Sequence, residues 1–166
     1  MPDLWLPLII TGGQSGVDQG AWRAAKAAGL LTAGWMPKGF LTEAGPRPEF
    51  AAEFGAWESK AADYAARTGL NVEASDHVLW LGDASSAGAR ATFGAAHRHG
   101  KPATVVKPGD PDATPRAVAA KLLELRPGVL LVAGNRESKS PGIGARAEAY
   151  LIRLFDIIKK GQQACP

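Results

Sequence analysis

The run Thr11-Gly12-Gly13-Gln14-Ser15-Gly16-Val17-Asp18 carries three glycines, a serine and an acid within eight positions. Glycines let a backbone approach a ligand, a serine hydroxyl adds a donor, and a helix that starts just beyond leaves N–H groups pointing outward. A phosphate suits such a loop. The bland alternative is a tight strand-to-helix turn capped by Ser15 or Asp18. A second run, Gly134-Asn135-Arg136-Glu137-Ser138-Lys139-Ser140, also feeds a helix start and adds cations, so two helix N-termini would clamp one anion. There the alternative is a solvated Arg136–Glu137 ion pair with Ser140 as a cap. The small polar loop Asp83-Ala84-Ser85-Ser86-Ala87-Gly88-Ala89 is suited to lining the same cleft. Trp35 offers a ring for a planar heterocycle, although tryptophan is more often core.

Several chemistries are disfavoured by spacing. The glycine loop matches neither G-x-x-x-x-G-K-[ST] nor G-x-G-x-x-G, and no acid ends the second apolar run to hold a ribose hydroxyl. Gly13-Gln14-Ser15-Gly16 lacks the second spacer of a nucleophile elbow, which argues against a Ser-His-Asp hydrolase. His77 lies in an apolar run, and His97 and His99 are two apart and face different sides of a helix end, so no side-chain metal site is expected. The single cysteine, Cys165, makes neither an internal disulfide nor a thiolate metal site by itself, which fits a reducing cytoplasm. If the chain is an enzyme, Glu137 or Asp18 is the acid–base group, with a nucleotide or phosphoribosyl compound as substrate. Isolated acids of this kind favour a binding protein over an enzyme.

Five short apolar runs must position these loops: Leu6 to Thr11, Leu31 to Trp35, Asp76 to Leu81, Ala103 to Val106 and Val129 to Ala133. Runs this short and continuous fit strands buried on both faces. Helical spacing lies between them, at Val17, Ala21, Ala24, Ala25 and Ala28 before Gly29, at Ala87 to His99, and at Arg116 to Leu125. The last helix places Ile143, Ala147, Tyr150, Leu151, Leu154 and Ile158 on one stripe, with Ser140 read as N-cap and Pro141 as its first residue. Alternating strands and helices imply a three-layer α/β fold, a Rossmann-like parallel sheet of about five strands with helices on both faces. Ligands in such sheets bind beyond the carboxyl ends of the strands, where the loops after runs one, two, three and five open.

With 166 residues, one domain spanning 1–166 is expected, carrying an insertion at about 36–75 that includes a helix near Trp57 to Thr68. Phe40, Phe50, Phe54 and Trp57 in that insertion seek cover, either within their own chain or at a subunit contact. The charge is +3, from 19 Lys and Arg against 16 Asp and Glu, and it is scattered. Nucleic acid is therefore disfavoured as a partner, and a small anionic ligand is preferred. No apolar stretch approaches the roughly 18 residues of a membrane span, and Met1-Pro2-Asp3 offers no basic signal region. A cytoplasmic protein is expected.

Taken together the loops resemble a family. Gly12 to Asp18, Gly34-Trp35-Met36-Pro37-Lys38-Gly39, Thr42-Glu43-Ala44-Gly45-Pro46, Tyr64 with Arg67-Thr68, Asn71-Val72, Ser75-Asp76, and Val132 to Ser138 with Pro141-Gly142-Ile143 are similar to those of the molybdenum carrier proteins. These are Rossmann-like and allied to the lysine decarboxylase-like phosphoribohydrolases. The resemblance implies binding, storage or carriage of molybdenum cofactor, a pterin with a terminal phosphate, with molybdoenzymes as acceptors. It also implies a homo-oligomer, dimer or tetramer, with the insertion near the interface and Arg67 reaching toward a ligand site. The phosphate would sit on the N–H groups of Gly13, Gln14, Ser15 and Gly16, aided by the Ser15 hydroxyl, with Gly12, Gly88 and Ser138 as further cofactor-binding residues. Arg136 and Lys38 would supply cations, and Trp35 or Asn135 would address the ring. Two motifs depart from the family pattern: Ala87-Gly88-Ala89 stands for Gly-Gly-Thr, and Asn135 stands for a proline. The Pro-Gly-Gly-x-Gly-Thr-x-x-Glu motif of the phosphoribohydrolases is absent.

Overall fold

A computed structural model describes residues 4–163; Met1-Pro2-Asp3 and Cys165 lie outside the described residues. The chain forms β1 (Leu8–Ile10), α1 (Val17–Ala27), β2 (Thr32–Met36), β3 (Leu41–Thr42), β4 (Gly45–Pro46), α2 (Phe50–Phe54), β5 (Ala56–Glu58) and α3 (Tyr64–Ala74). It continues as β6 (His77–Leu81), α4 (Ala87–Arg98), β7 (Ala103–Val106), α5 (Pro115–Leu125), β8 (Val129–Gly134) and α6 (Ile143–Gln163). Six strands make one sheet in the order β5-β2-β1-β8-β6-β7, and every pairing in it is parallel. β3 and β4 form a separate antiparallel hairpin.

The apolar strand runs are explained by the two cores they separate. Alternate residues face opposite sides of a strand, so Ile9, Leu79, Leu81, Leu130 and Val132 join a core with α1, α5 and α6. Their neighbours Ile10, Val78 and Leu131 join Val72, Ala95 and Ala96 from α3 and α4 on the other face. This is the three-layer arrangement expected from the sequence, with one strand more. The extra strand is β5, and it corrects the helix expected from Trp57: Trp57 pairs with Trp35 across β5 and β2, and the helix starts only at Tyr64, where the Asp63 side chain accepts the Ala65 N–H. An N-cap ends the strand-to-helix connection there, and a helical pattern counted back through it was bound to start too early.

Small residues bring the helices together. A Cβ on Gly20 of α1 would stand 2.4 Å from the Gly144 carbonyl oxygen of α6, so the two backbones touch where Gly20 lies. The aromatics of the 36–75 segment are covered mostly by their own chain. Phe54 stacks on Trp22 with centroids 4.8 Å apart, Phe50 meets the same indole edge-on at 5.7 Å, and Phe40 packs on this cluster. Trp57 remains 45% exposed on the edge strand.

Candidate functional site

The chain leaves the centre of the sheet at β1 toward β2, whereas β6 leads outward to β7, and β8 returns between β1 and β6. Connections that diverge in this way open a crevice beyond the carboxyl ends of the strands. A cavity of about 1870 Å³ occupies it. Its walls include Trp80, Leu81 and Gly82 at the end of β6, Asn135 and Arg136 after β8, Tyr64 and Arg67 from α3, and Ile143, Arg146 and Tyr150 from α6.

The structure divides the sequence-derived candidates. Gln14, Gly88, Asn135 and Arg136 line the cavity, as does Asp18. Trp35, Lys38 and Glu137 do not, nor do Gly12, Gly13, Ser15, Gly16 and Ser138. β2 ends in a turn that carries Lys38 to the surface, while the backbone of Trp35 is held by the Asn71 amide at 2.8 and 3.0 Å and its ring lies 5.4 Å from Trp57. The loop after β7 takes the place of the loop after β2, bringing Lys107, Gly109 and Asp110 to the cavity rim. Nothing local in Lys107 to Asp110 marks them; only the strand order does.

The glycine loop is bound internally. The Gly13 N–H donates to Thr11 Oγ1 at 3.0 Å, Gln14 N–H to Asp18 Oδ2 at 3.2 Å, Ser15 N–H to Gln14 Oε1 at 3.1 Å and Val17 N–H to the Asn135 carbonyl at 3.2 Å. Gly16 adopts φ 92°, and a Cβ there would stand 2.4 Å from the Asn135 carbonyl oxygen. Ser15 and Ser138 face a carboxylate from their own chain: Glu43, at the tip of the β3–β4 hairpin, accepts from the Ser15 hydroxyl, the Ser138 hydroxyl and the Ser138 N–H.

The start of α6 is occupied in the same way. Glu137 accepts from the N–H groups of Gly142 and Gly144, the latter at 3.0 Å. It therefore caps the helix and does not pair with Arg136, and these two N–H bonds hold its carboxyl below the ordinary range. Ser140 and Pro141 precede the helix as a turn, with the Ile143 N–H on the Ser140 carbonyl. The Asn135 side chain likewise ties loops together, accepting the Asp83 N–H at 2.6 Å and donating to Ser86 Oγ at 3.3 Å. A proline at this position could make neither bond.

What faces the cavity is the first turn of α4 and a group of charges. Ser86 caps α4 through the Ala89 N–H, which leaves the earlier N–H groups of that turn, at Ala87 and Gly88, without intrahelical acceptors. Asp18 is buried, and burial pushes its carboxyl above the ordinary range against the pull of Arg67 and the N–H groups of Gln14 and Gly12. His77 is buried with Nε2 2.8 Å from Thr104 Oγ1, on a strand and away from the cavity. Among the described residues, no group of three His, Cys, Asp or Glu side chains could hold a metal ion.

Sequence comparison then settles the relationship. Residues 9–155 match the model of a family described as "Circularly permutated YpsA SLOG family". The chain belongs to the circularly permuted YpsA SLOG family. It is also similar to a solved structure from Syntrophus aciditrophicus SB, described as "Putative molybdenum carrier protein": the two are 30% identical, with 91% of this chain and 95% of that chain covered and a TM-score of 0.77. No curated protein gives a significant match. The YpsA SLOG assignment and the molybdenum carrier likeness agree with the Rossmann-like architecture and extend over nearly all of the sheet. Among the described residues of this YpsA SLOG chain, no helix is long and apolar enough to cross a membrane.

Proposed function

We propose that this protein binds and carries molybdenum cofactor, with the pterin and its terminal phosphate in the cavity at the carboxyl edge of β1, β8 and β6. One observation carries the reading: a single large cavity combines apolar walls from Trp80, Ile143 and Tyr150 with cations from Arg67, Arg136, Lys139 and Arg146. Ligand sites are commonly concave and mostly apolar, with a few placed polar groups. The likeness to a protein named as a molybdenum carrier supports the choice of ligand. Gln14, Gly88, Asn135 and Arg136 are the sequence-derived residues that would meet such a ligand, since they line the cavity and Gly12, Gly13, Ser15, Gly16 and Ser138 do not. A cytoplasmic location, with molybdoenzymes as acceptors, follows from the same reading. Titration of the purified, folded protein with the cofactor tests it: saturable binding at micromolar levels is expected, and no binding overturns it.

A second reading, an enzyme or sensor acting on a nucleotide or phosphoribosyl compound, is favoured by Asp18, a buried carboxyl raised above its usual range on the cavity wall. Perturbed acids cluster at functional sites. Glu137 is the weaker candidate because it caps α6. Release of base or ribose phosphate from nucleoside monophosphates or ADP-ribose, abolished in Asp18→Asn, would replace the carrier by this enzyme.

We also propose a homo-oligomer, dimer or tetramer, formed through the β5 edge, where Trp57 is exposed. Light scattering at two concentrations should give a multiple of 17.3 kDa; a monomer mass at both overturns it.

A further inference from the structure

Tyr64, Arg67 and Thr68 stand three and four residues apart on α3 and so share one face, which lines the cavity. The Arg67 side chain is only 12% exposed. Its guanidinium lies against the backbone of the first loop so closely that a Cβ built on Gly12 would fall 1.7 Å from Nη1 and 2.4 Å from Cζ. Glycine at position 12 is what lets the group in. Yet the guanidinium is poorly partnered there. The nearest carboxylate oxygen, Asp18 Oδ2, is 3.8 Å from Nη1, beyond hydrogen-bond range, and Nε has no acceptor. Beside it, Gln14 spends its Oε1 on the N–H groups of Ser15 and Glu43 and leaves Nε2 buried with no partner.

A second guanidinium shares the place. Arg136 lies over the Tyr64 ring at 4.6 Å from its centre and Arg67 at 5.8 Å. An arginine is cationic under all ordinary conditions, so two positive charges stand beside Asp18, whose carboxyl burial holds toward its neutral form, while the Glu43 carboxylate acts on Arg136 but not on Arg67. Buried donors are nearly always satisfied in folded proteins. Here two orphaned N–H groups and a surplus of positive charge meet on one wall.

We propose that Arg67, Arg136 and Gln14 Nε2 form an anion subsite for a phosphate monoester, bound as its dianion. This rests on the reading of the cavity as the site of a phosphorylated ligand, and it moves the phosphate from the glycine loop to the α3 wall. The chemistry follows from the donors: paired guanidinium forks match the oxygens of a phosphate, and a dianion is drawn to the two arginines more strongly than a singly charged diester.

Calorimetric titration with three probes tests the subsite: inorganic phosphate, methyl phosphate and dimethyl phosphate, with 6-hydroxymethylpterin as a phosphate-free control. Inorganic phosphate and methyl phosphate should bind at least about tenfold more tightly than dimethyl phosphate. Arg67→Gln and Arg136→Gln should each weaken them by about tenfold or more and leave the pterin unaffected, and Arg67→Lys should not restore the loss. Equal phosphate binding in wild type and both Gln variants overturns the subsite. So does pterin binding by a wild-type protein that ignores phosphate, a result that leaves the cofactor reading standing. Phosphate binding lost in both Gln variants of a protein that does not take up the cofactor keeps the subsite and removes the carrier. If Arg67→Gln fails a thermal-melt check, Arg136→Gln decides, since Arg136 is partly exposed.

Discussion

Glu43 is joined to residues far from it in sequence, through the Ser15 hydroxyl and through the hydroxyl and N–H of Ser138, while its own N–H donates to Gln14 Oε1 at 2.8 Å. One side chain thus fastens the β3–β4 hairpin to both loops beside the cavity. Desolvation pushes the Glu43 carboxyl up, but hydrogen bonds from Ser138 and Ser15 outweigh it and hold the group below the ordinary range. A folded-state value below the unfolded one means that this fastening is complete above about pH 4.5 and is lost as the pH falls through the depressed value. Glu43→Gln should therefore flatten the acid side of the stability profile and speed proteolysis within the hairpin. Because the group is exposed, a loss of only about 0.5–1 kcal/mol near neutrality is expected, read by denaturant titration. A profile identical to wild type below pH 5 would contradict this assignment. Gly16 makes a sharper case. With φ 92° and the Asn135 carbonyl 2.4 Å from where a Cβ would be, Gly16→Ala should destabilise the protein by roughly 2–4 kcal/mol whether or not a ligand is present. A variant that melts normally but loses ligand would give Gly16 a binding role instead.

At the scale of elements, α6 begins where Glu137 takes up the N–H groups of Gly142 and Gly144. The sequence pattern pointed to Ser140 as the cap because serine before proline is a common start. The chain instead makes one more turn, and the acid three residues earlier reaches forward over it. Glu137→Ala should lower Tm by roughly 2–4 °C, and Ser140→Ala should leave it nearly unchanged. The reverse ranking in a thermal melt would restore Ser140 as the cap. The 36–75 segment shows the same competition between local pattern and distant contact. Trp57 looks helical with the residues after it, but pairing with β2 draws it into an edge strand, while Phe50 and Phe54 find cover on Trp22 of α1.

At the scale of the whole molecule, α6 is the keystone of one face, with Leu151, Leu154 and Ile158 buried against α1, α5 and the sheet. Leu151→Ala should remove about 2–5 kcal/mol, measured by urea unfolding, because the fully covered site cannot collapse around the gap. A loss below about 1 kcal/mol would mean that this face is less tightly packed than described. The fold class, five of the six sheet strands, the stripes of α1 and α6 and the edge at which the cavity opens were legible in the sequence, because hydrophobic period and strand–helix alternation are local properties that burial on two faces imposes directly. The sequence also marked Gln14, Gly88, Asn135 and Arg136, since glycine-rich and polar loops after strands are visible as such. Strand order was not visible. Only the folded sheet decided that β8 lies between β1 and β6, and this placement put Lys107 at the cavity and left Trp35 and Lys38 outside it, while Arg67, which the resemblance already directed toward a ligand site, lines it with Tyr64. Likewise, the N–H groups of Gly13, Gln14, Ser138, Gly142 and Gly144 are taken up by Thr11, Asp18, Glu43 and Glu137. A free N–H and a satisfied one look identical in sequence, and the difference lies in which acceptor the tertiary fold brings within about 3 Å.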